Sequence, residues 1–242
     1  MTSPGPRDCR HRSLPMAPYH IRKYQESDNE SVLALFSSGL AEHIPATFRH
    51  MLMLPRILLF LLGVPLTLLL VTGSWLLTIV SIFTLLVFLR LLANFPWKIH
   101  EALCLRTDLA DITKSYMSAC GSCYWVAECE GKVVGTVSAL PVADPPLGKK
   151  QLQLLHLSVA VEHRGKGMAK ALVRTLLQFA RDQGYNEIFI ETTKMHYSAL
   201  ALYQGMGFQK TGQSFYGMIW KILAIPKIDL TYPLPSAQKE GL

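Results

Sequence analysis

Leu152-Gln153-Leu154-Leu155-His156-Leu157-Ser158-Val159-Ala160-Val161 leads through Glu162-His163 into Arg164-Gly165-Lys166-Gly167-Met168-Ala169, and this stretch decides the fold. Its first ten residues are rich in Leu and Val and suit a buried strand. Beyond the turn, Leu172, Leu176, Phe179 and Ala180 recur at helical spacing. The glycines fall at the junction, where Gly165 and Gly167 let main-chain N–H groups converge on one anion with no Cβ in the way. The positive end of the following helix dipole adds to that attraction. A strand, a bare turn and a helix in this order make a phosphate cradle.

The form Arg164-x-x-Gly167-x-Ala169 resembles the acetyl-coenzyme A signature of the GNAT superfamily of N-acetyltransferases. Downstream, Ala199-Leu200-Ala201-Leu202-Tyr203-Gln204-Gly205-Met206-Gly207-Phe208 resembles that superfamily's second signature, in the right order. The resemblance implies an α/β fold, a mixed and mainly antiparallel central sheet flanked by helices. It also implies acetyl-CoA as acetyl donor, with no metal. The pantetheine arm is then expected beside Leu157, Ser158 and Val159, with Leu157 and Val159 positioning the acetyl carbonyl. The diphosphate would take amides from Gly165 to Ala169, Met168 among them, with charge from Arg164 and Lys166. Tyr203 is the implied acid that protonates the departing thiolate, and His196 stands where many relatives carry a coenzyme-binding Asn.

From Ile57 to Leu89 the chain holds 33 residues without a charged side chain, which no ordinary globular core helix needs. As one helix it would measure roughly 50 Å, against a hydrocarbon core of about 30 Å. A bend is therefore expected, at Gly63-Val64-Pro65 or at Thr72-Gly73-Ser74. Arg49 and Arg56 precede the segment, and Arg90 and Lys98 follow it, so both flanks carry the positive charge of cytosolic ends. We expect a membrane hairpin inserted into the catalytic domain.

The organisation expected is a disordered basic tail over 1–18, a first strand and helix over 19–50, the hydrophobic segment over 51–95, and a catalytic core with C-terminal strands over 96–242. Within it, His20 to Tyr24 suits a short strand and Ser27 to Leu40 an amphipathic helix. Thr107 to Tyr116 suits another helix, Glu130-Gly131 a hairpin turn, and Glu187 to Glu191 a strand. Phe215 to Tyr232, apolar and β-branched, is expected to supply closing strands limited by Pro226.

Acetyl transfer to an amine also needs a base. Two residues are candidates: His156 on the central strand, and Glu191 at the end of the next strand. Simple alternation puts His156 on the face opposite Leu155 and Leu157. Deprotonation through water is the alternative. Cys120-Gly121-Ser122-Cys123 has the spacing of a metal half-site, but no second pair accompanies it and it precedes a strand rather than following one. The net charge of +7 is accounted for by membrane-flanking Arg and Lys without any aromatic-interleaved basic stripe, so no nucleic-acid partner is expected.

Ile21-Arg22-Lys23-Tyr24-Gln25-Glu26-Ser27-Asp28, Phe179-Ala180-Arg181-Asp182-Gln183-Gly184-Tyr185 and Ala201-Leu202-Tyr203, with the hydrophobic segment between, closely resemble the camello-like family of membrane-bound N-acetyltransferases. The family implies endoplasmic-reticulum or Golgi membranes. It also implies two acceptor classes, cysteine S-conjugates and protein lysines. The expected partners are thus acetyl-CoA, an amine and the lipid bilayer, with the catalytic domain cytosolic. A coenzyme-binding scaffold without a base is the non-enzymatic alternative.

Overall fold

The computed structural model describes residues 19–118, 120–146 and 148–235. The tail expected over 1–18 lies outside them. Seven strands form one sheet: His20–Lys23 (β1), Cys123–Cys129 (β2), Lys132–Pro141 (β3), Gln151–Val159 (β4), Glu187–Thr193 (β5), Gln209–Ser214 (β6) and Lys227–Pro233 (β7). Their spatial order is β1-β2-β3-β4-β5-β7-β6. Neighbours run antiparallel except β4 and β5, which are parallel and joined by a helical crossover.

Among the described residues the helices are Asn29–Ala41 (α1), His43–Leu52 (α2), Pro55–Thr72 (α3), Trp75–Arg106 (α4), Met168–Asp182 (α5), Tyr197–Gly205 (α6) and Met218–Ile222 (α7). Strand alternation splits the core into two layers. Cys123, Trp125 and Ala127 of β2 point to the face where α5 buries Leu172, Leu176 and Ala180. Tyr124 and Val126 point the other way, onto Val32 and Phe36 of α1 and onto Tyr116. Truncating a fully buried leucine such as Leu172 to alanine in such a layer costs roughly 2–5 kcal/mol.

The early strand joins the catalytic sheet, with Ile21 opposite Ala127 and Arg22 opposite Val126. Arg22 locks this edge: its guanidinium grips Asp28 at 2.7 and 2.8 Å and donates to Glu128 at 2.7 Å. The Arg22 hydrogen bonds overcome the opposing effect of burial and hold the Asp28 carboxyl below its ordinary range. Asp28 also accepts from the Gln25 amide at 2.9 Å, which caps a short 3₁₀ turn over Glu26–Asp28 and delays α1 to Asn29.

Because β1 precedes α3 and β2 follows α4 in one sheet, both ends of the hairpin lie on one side. Of the two expected breaks, only the second interrupts the chain. Pro65 sits inside α3 without ending it. Gly73, at φ 65°, adopts the left-handed turn, and Ser74 accepts from the Leu77 amide to start α4. Each arm has the length and mean hydropathy of a membrane span, and Leu70 and Phe83 are 75% and 70% exposed, so nothing in the fold covers them.

Beyond the apolar stretch, α4 continues to Arg106 instead of ending near Phe95. The helix expected over Thr107 to Tyr116 is replaced by a break at Thr107 and one π-type turn over Thr113–Met117. The apolar stretch 215–232 holds α7 as well as β7, and β6 precedes it.

Candidate active site

β4 and β5 pair only from Gln151 to Leu154 against Glu187 to Ile190. On its other edge β5 pairs with β7 along its whole length, Glu187 to Thr193 against Pro233 to Lys227, whereas past Leu154 and Ile190 the strands β4 and β5 part. The β5-facing edge of Leu155 to Val159 is therefore left without a strand partner. This open wedge can accept an extended chain as an added strand, which suits the pantetheine arm expected beside Leu157 to Val159.

A bulge creates the wedge. Ser138 of β3 pairs with Leu155 and Thr136 with Ser158, so Val137 faces two residues, and His156 takes a left-handed φ of 49°. The bulge corrects the expected alternation. Leu155 and His156 both face the α1 layer, whereas Leu157 packs in the α5 layer. A left-handed residue rotates the strand out of its two-residue period, and alternation predicts a side only where that period holds.

His156 meets the edge of Phe36 with ring centroids 5.2 Å apart, and Tyr116 at 6.2 Å. Its Nε2 lies 2.6 Å from a carboxylate oxygen of Asp108, and the His156 side chain is only 7% exposed. The Tyr116 hydroxyl donates to the same Asp108 oxygen, and the Thr107 hydroxyl donates to the other at 3.1 Å. Burial pushes the Asp108 carboxyl up, but the hydrogen bonds and charge of His156, then Tyr116 and Thr107, outweigh it and hold the carboxyl at about 2. With Asp108 ionised, Nε2 carries the imidazole proton and Nδ1 carries the lone pair. The pairing with Asp108 thereby leaves Nδ1 as the hydrogen-bond acceptor of the ring.

Asp108 escaped the sequence analysis. It stands 48 residues from His156, and a single acid behind a long apolar helix carries no local signal of its partner.

Glu191 makes a less suitable base. The Lys227 ammonium is bonded to one of its oxygens, and Gln153 of β4 donates to the other at 3.3 Å. Protonation would break the ion pair with a half-buried lysine. Glu191 instead braces the two diverging strands beside the wedge.

Tyr203 of α6 is buried in the α5 layer, in the same apolar cluster as Val159 and Leu157. Its ring contacts Phe208 at 5.5 Å, and among the described residues its hydroxyl has no hydrogen-bond partner. Burial raises the phenol well above its ordinary value, which keeps it protonated at neutral pH as a donor requires.

At the cradle, Gly165 and Gly167 take φ of 74° and 80°, and a Cβ built on either meets open space. Gly167 precedes α5 without a side-chain cap, so among the described residues the amides of Met168, Ala169 and Lys170 have no acceptor in the protein. These donors at a helix N-terminus fit a diphosphate. Lys166 is exposed and, among the described residues, unpaired. Beside them Lys170, Arg174 and Arg181 line an open groove with Gly205 and Met206.

Two residues expected at the coenzyme hold partners within the protein. Arg164 is not a free cation at the loop. Its guanidinium forms a fork on Glu42 at 2.6 and 2.9 Å, and its Nε donates to the Val159 carbonyl at 2.8 Å. It ties the loop to α2. His196, expected as a coenzyme donor, accepts or donates at Nδ1 with Thr192 at 2.9 Å and stacks on His43 at 4.2 Å and Trp97 at 5.5 Å. Burial, with the adjacent His43, depresses it to about 3, so it is neutral and apolar in behaviour. The start of α2 thus bridges both walls of the wedge, Glu42 to the loop after β4 and His43 to the turn after β5. Among the described residues no three His, Cys, Asp or Glu side chains group as metal ligands.

The sequence profile of the acetyltransferase (GNAT) family matches residues 89–208. The chain is 64% identical over 222 residues to N-acetyltransferase 8F1 of Rattus norvegicus, covering 92% of this chain and 100% of that protein. It is 60% identical over 223 residues to N-acetyltransferase 8B of Homo sapiens, covering 92% and 98%. Among solved structures, a GNAT-family acetyltransferase from Staphylococcus aureus Mu50 superposes with TM-score 0.55 at 14% identity, covering 89% of this chain and 99% of that one, a likeness of fold. Near-complete matches at this identity, joined to the open wedge and the phosphate cradle, mean that the chain belongs to the camello-like N-acetyltransferase 8 family and is an acetyl-CoA-dependent N-acetyltransferase of GNAT fold.

Proposed function

We propose that the enzyme is embedded in endoplasmic-reticulum or Golgi membranes and acetylates a small amphipathic amine of the cysteine S-conjugate type from the cytosolic side. The observation that carries this reading is the unbroken helix α4, which begins in the exposed apolar hairpin and ends two residues before Asp108, the partner of His156. An acceptor with an apolar group concentrates in lipid beside the hairpin and meets the catalytic groups with its amine toward water.

In this reading, His156 takes a proton from the ammonium at Nδ1, and the resulting cation is held by Asp108. The free amine attacks the acetyl carbonyl, the carbon–sulfur bond breaks, Tyr203 supplies the proton for the thiolate, and the proton that the nitrogen loses as the amide forms restores the Tyr203 hydroxyl through water. The cradle amides and Lys166 hold the anionic end of the acetyl donor, and the edge of β4 aligns the rest.

The test is transfer of labelled acetyl from acetyl-CoA by the full chain in lipid nanodiscs, offered S-benzylcysteine or a lysine peptide. Preferential labelling of S-benzylcysteine is expected. Labelling of the peptide alone would overturn the substrate assignment, and binding without transfer to either would identify a scaffold. Protease digestion of sealed microsomes should remove both termini. Protection of the C-terminal domain would move catalysis to the lumen.

A further inference from the structure

We propose that the β6–β7 connection, residues 215–226, is a second lipid-binding element: α7 lies in the headgroup layer with Met218 and Ile222 against the acyl chains and Lys221 among anionic headgroups. This rests on the membrane reading of the α3–α4 hairpin and extends it to a segment that has no membrane-span character of its own.

The inward side of this segment is docked on the hairpin at its cytosolic base. Ile219, Trp220, Leu223 and Ile225 pack with Ile57 and Leu61 of α3 and with Leu89, Leu92 and Ala93 of α4. Ile57, Leu61 and Leu89 belong to the charge-free stretch itself. Polar contacts fix the depth: the Arg56 guanidinium donates to the Ile222 carbonyl, and the His50 ring lies 3.3 Å from the Ala224 carbonyl. The segment therefore sits level with the point where the chain passes into the apolar hairpin.

Its outward side is covered by nothing in the fold. Met218 is 71% and Ile222 50% exposed, and Phe215 and Tyr216 are also exposed. Met53 and Leu58, at the start of the hairpin on which the segment docks, are exposed as well. Charge selects the same occupant. Between 215 and 226 the one charged side chain is Lys221, and no carboxylate occurs between Arg49 and Arg90. Arg49, Arg56, Arg90 and Lys221 are all exposed. An apolar surface rimmed by cations alone matches a bilayer whose headgroups are partly anionic.

The segment also touches the site. Tyr216 stacks edge-on with Trp220 at 5.6 Å, and the Lys227 ammonium lies 5.7 Å from the Tyr216 ring while bonding Glu191. Lipid beneath α7 is thus one aromatic residue from the wall of the wedge.

The test incorporates a benzophenone amino acid singly at Met218, Ile222, Leu70 or Gln178 of the full chain. The variants are reconstituted in vesicles of radiolabelled phosphatidylcholine with a minority of phosphatidylserine and irradiated. Calorimetry with acetyl-CoA confirms that each variant is folded. Lipid adducts are expected at Leu70, Met218 and Ile222 and not at Gln178, which lies exposed on α5. Adducts at Leu70 with none at Met218 or Ile222 would overturn the proposal and leave the hairpin standing. Absence of adducts at Leu70 as well would overturn the membrane reading with it.

Discussion

Replacing Asp108 with asparagine removes one charge from the centre of the proposed machinery and changes little in volume. The carboxyl is held at about 2, roughly two units below an ordinary aspartate. Each unit corresponds to about 1.4 kcal/mol of preference for the ionised form, so the network with His156 and Tyr116 contributes on the order of 2 kcal/mol. The side chain is 23% exposed, which leaves most of that in place against solvent screening. For a chain of this length the melting temperature should fall by roughly 4–8 °C.

The kinetic loss should be larger. An asparagine amide donates to Nε2 and drives the imidazole proton to Nδ1, the nitrogen that must accept the proton from the ammonium. General-base catalysis is worth about 10²–10⁴ in rate, and kcat should drop within that range while KM for acetyl-CoA stays near its parent value. The assay is steady-state thiol release in nanodiscs, alongside a thermal melt of the same preparation. A melt lowered as expected with kcat within about threefold of the parent would refute the reasoning, because Asp108 would then brace the fold without orienting a base.

The same carboxylate sets an acid limit. Its folded-state value lies below the unfolded one, so its stabilisation is complete above pH about 4 and is lost as pH falls toward 2; denaturant titrations at several acidic pH values should show the parent losing stability there and Asp108→Asn losing less. Gly167→Val forces a β-branched residue to φ 80° and puts its side chain where the diphosphate is expected; KM for acetyl-CoA should rise by about tenfold or more, with kcat much less affected. Tyr203→Phe removes a hydroxyl that has no protein partner among the described residues, so the melt should hold within about 1 kcal/mol while kcat falls by about tenfold or more; unchanged kcat would remove Tyr203 as the acid. A double-mutant cycle of Glu42→Ala with Arg164→Ala should return a coupling of only about 0.2–1 kcal/mol, since both side chains are more than a third exposed.

The cradle was legible in the sequence because its constraints are local: two glycines need left-handed φ, and the helix after them needs its amides bare. The first strand and helix, the central strands and the apolar hairpin were legible for the same reason, through periodicity and an uncharged stretch too long for a core. Three features were not. The bulge at His156 depends on its pairing with β3, and a leucine-rich strand gives no sign of where its period slips. The partners of His156, Arg164 and His196 arrive from 48, 122 and more than 150 residues away, Asp108 from just past the end of α4 and Glu42 and His43 from the start of α2. Arg164 therefore looked like a free cation and His196 like a surface donor, although one pairs with Glu42 and the other packs against His43 and Trp97. The short helix at 218–222 was hidden because a β-branched apolar segment and an interfacial turn have the same composition.

On the proposed membrane reading, helix α4 would carry a tilt of the hairpin to the residues flanking Asp108. Its 32 residues form a continuous helix of about 48 Å that runs through Pro96 without a break. A change of roughly 5° in the rod's inclination, pivoting about its centre, moves the far tip by about 2 Å, comparable with the whole length of the Asp108–His156 contact. Hydrocarbon thickness governs how steeply such a hairpin stands. On the membrane reading proposed above, turnover should therefore respond to the sterol and chain-length composition of the vesicles that hold the protein, and identical rates in thin and thick bilayers would sever that link.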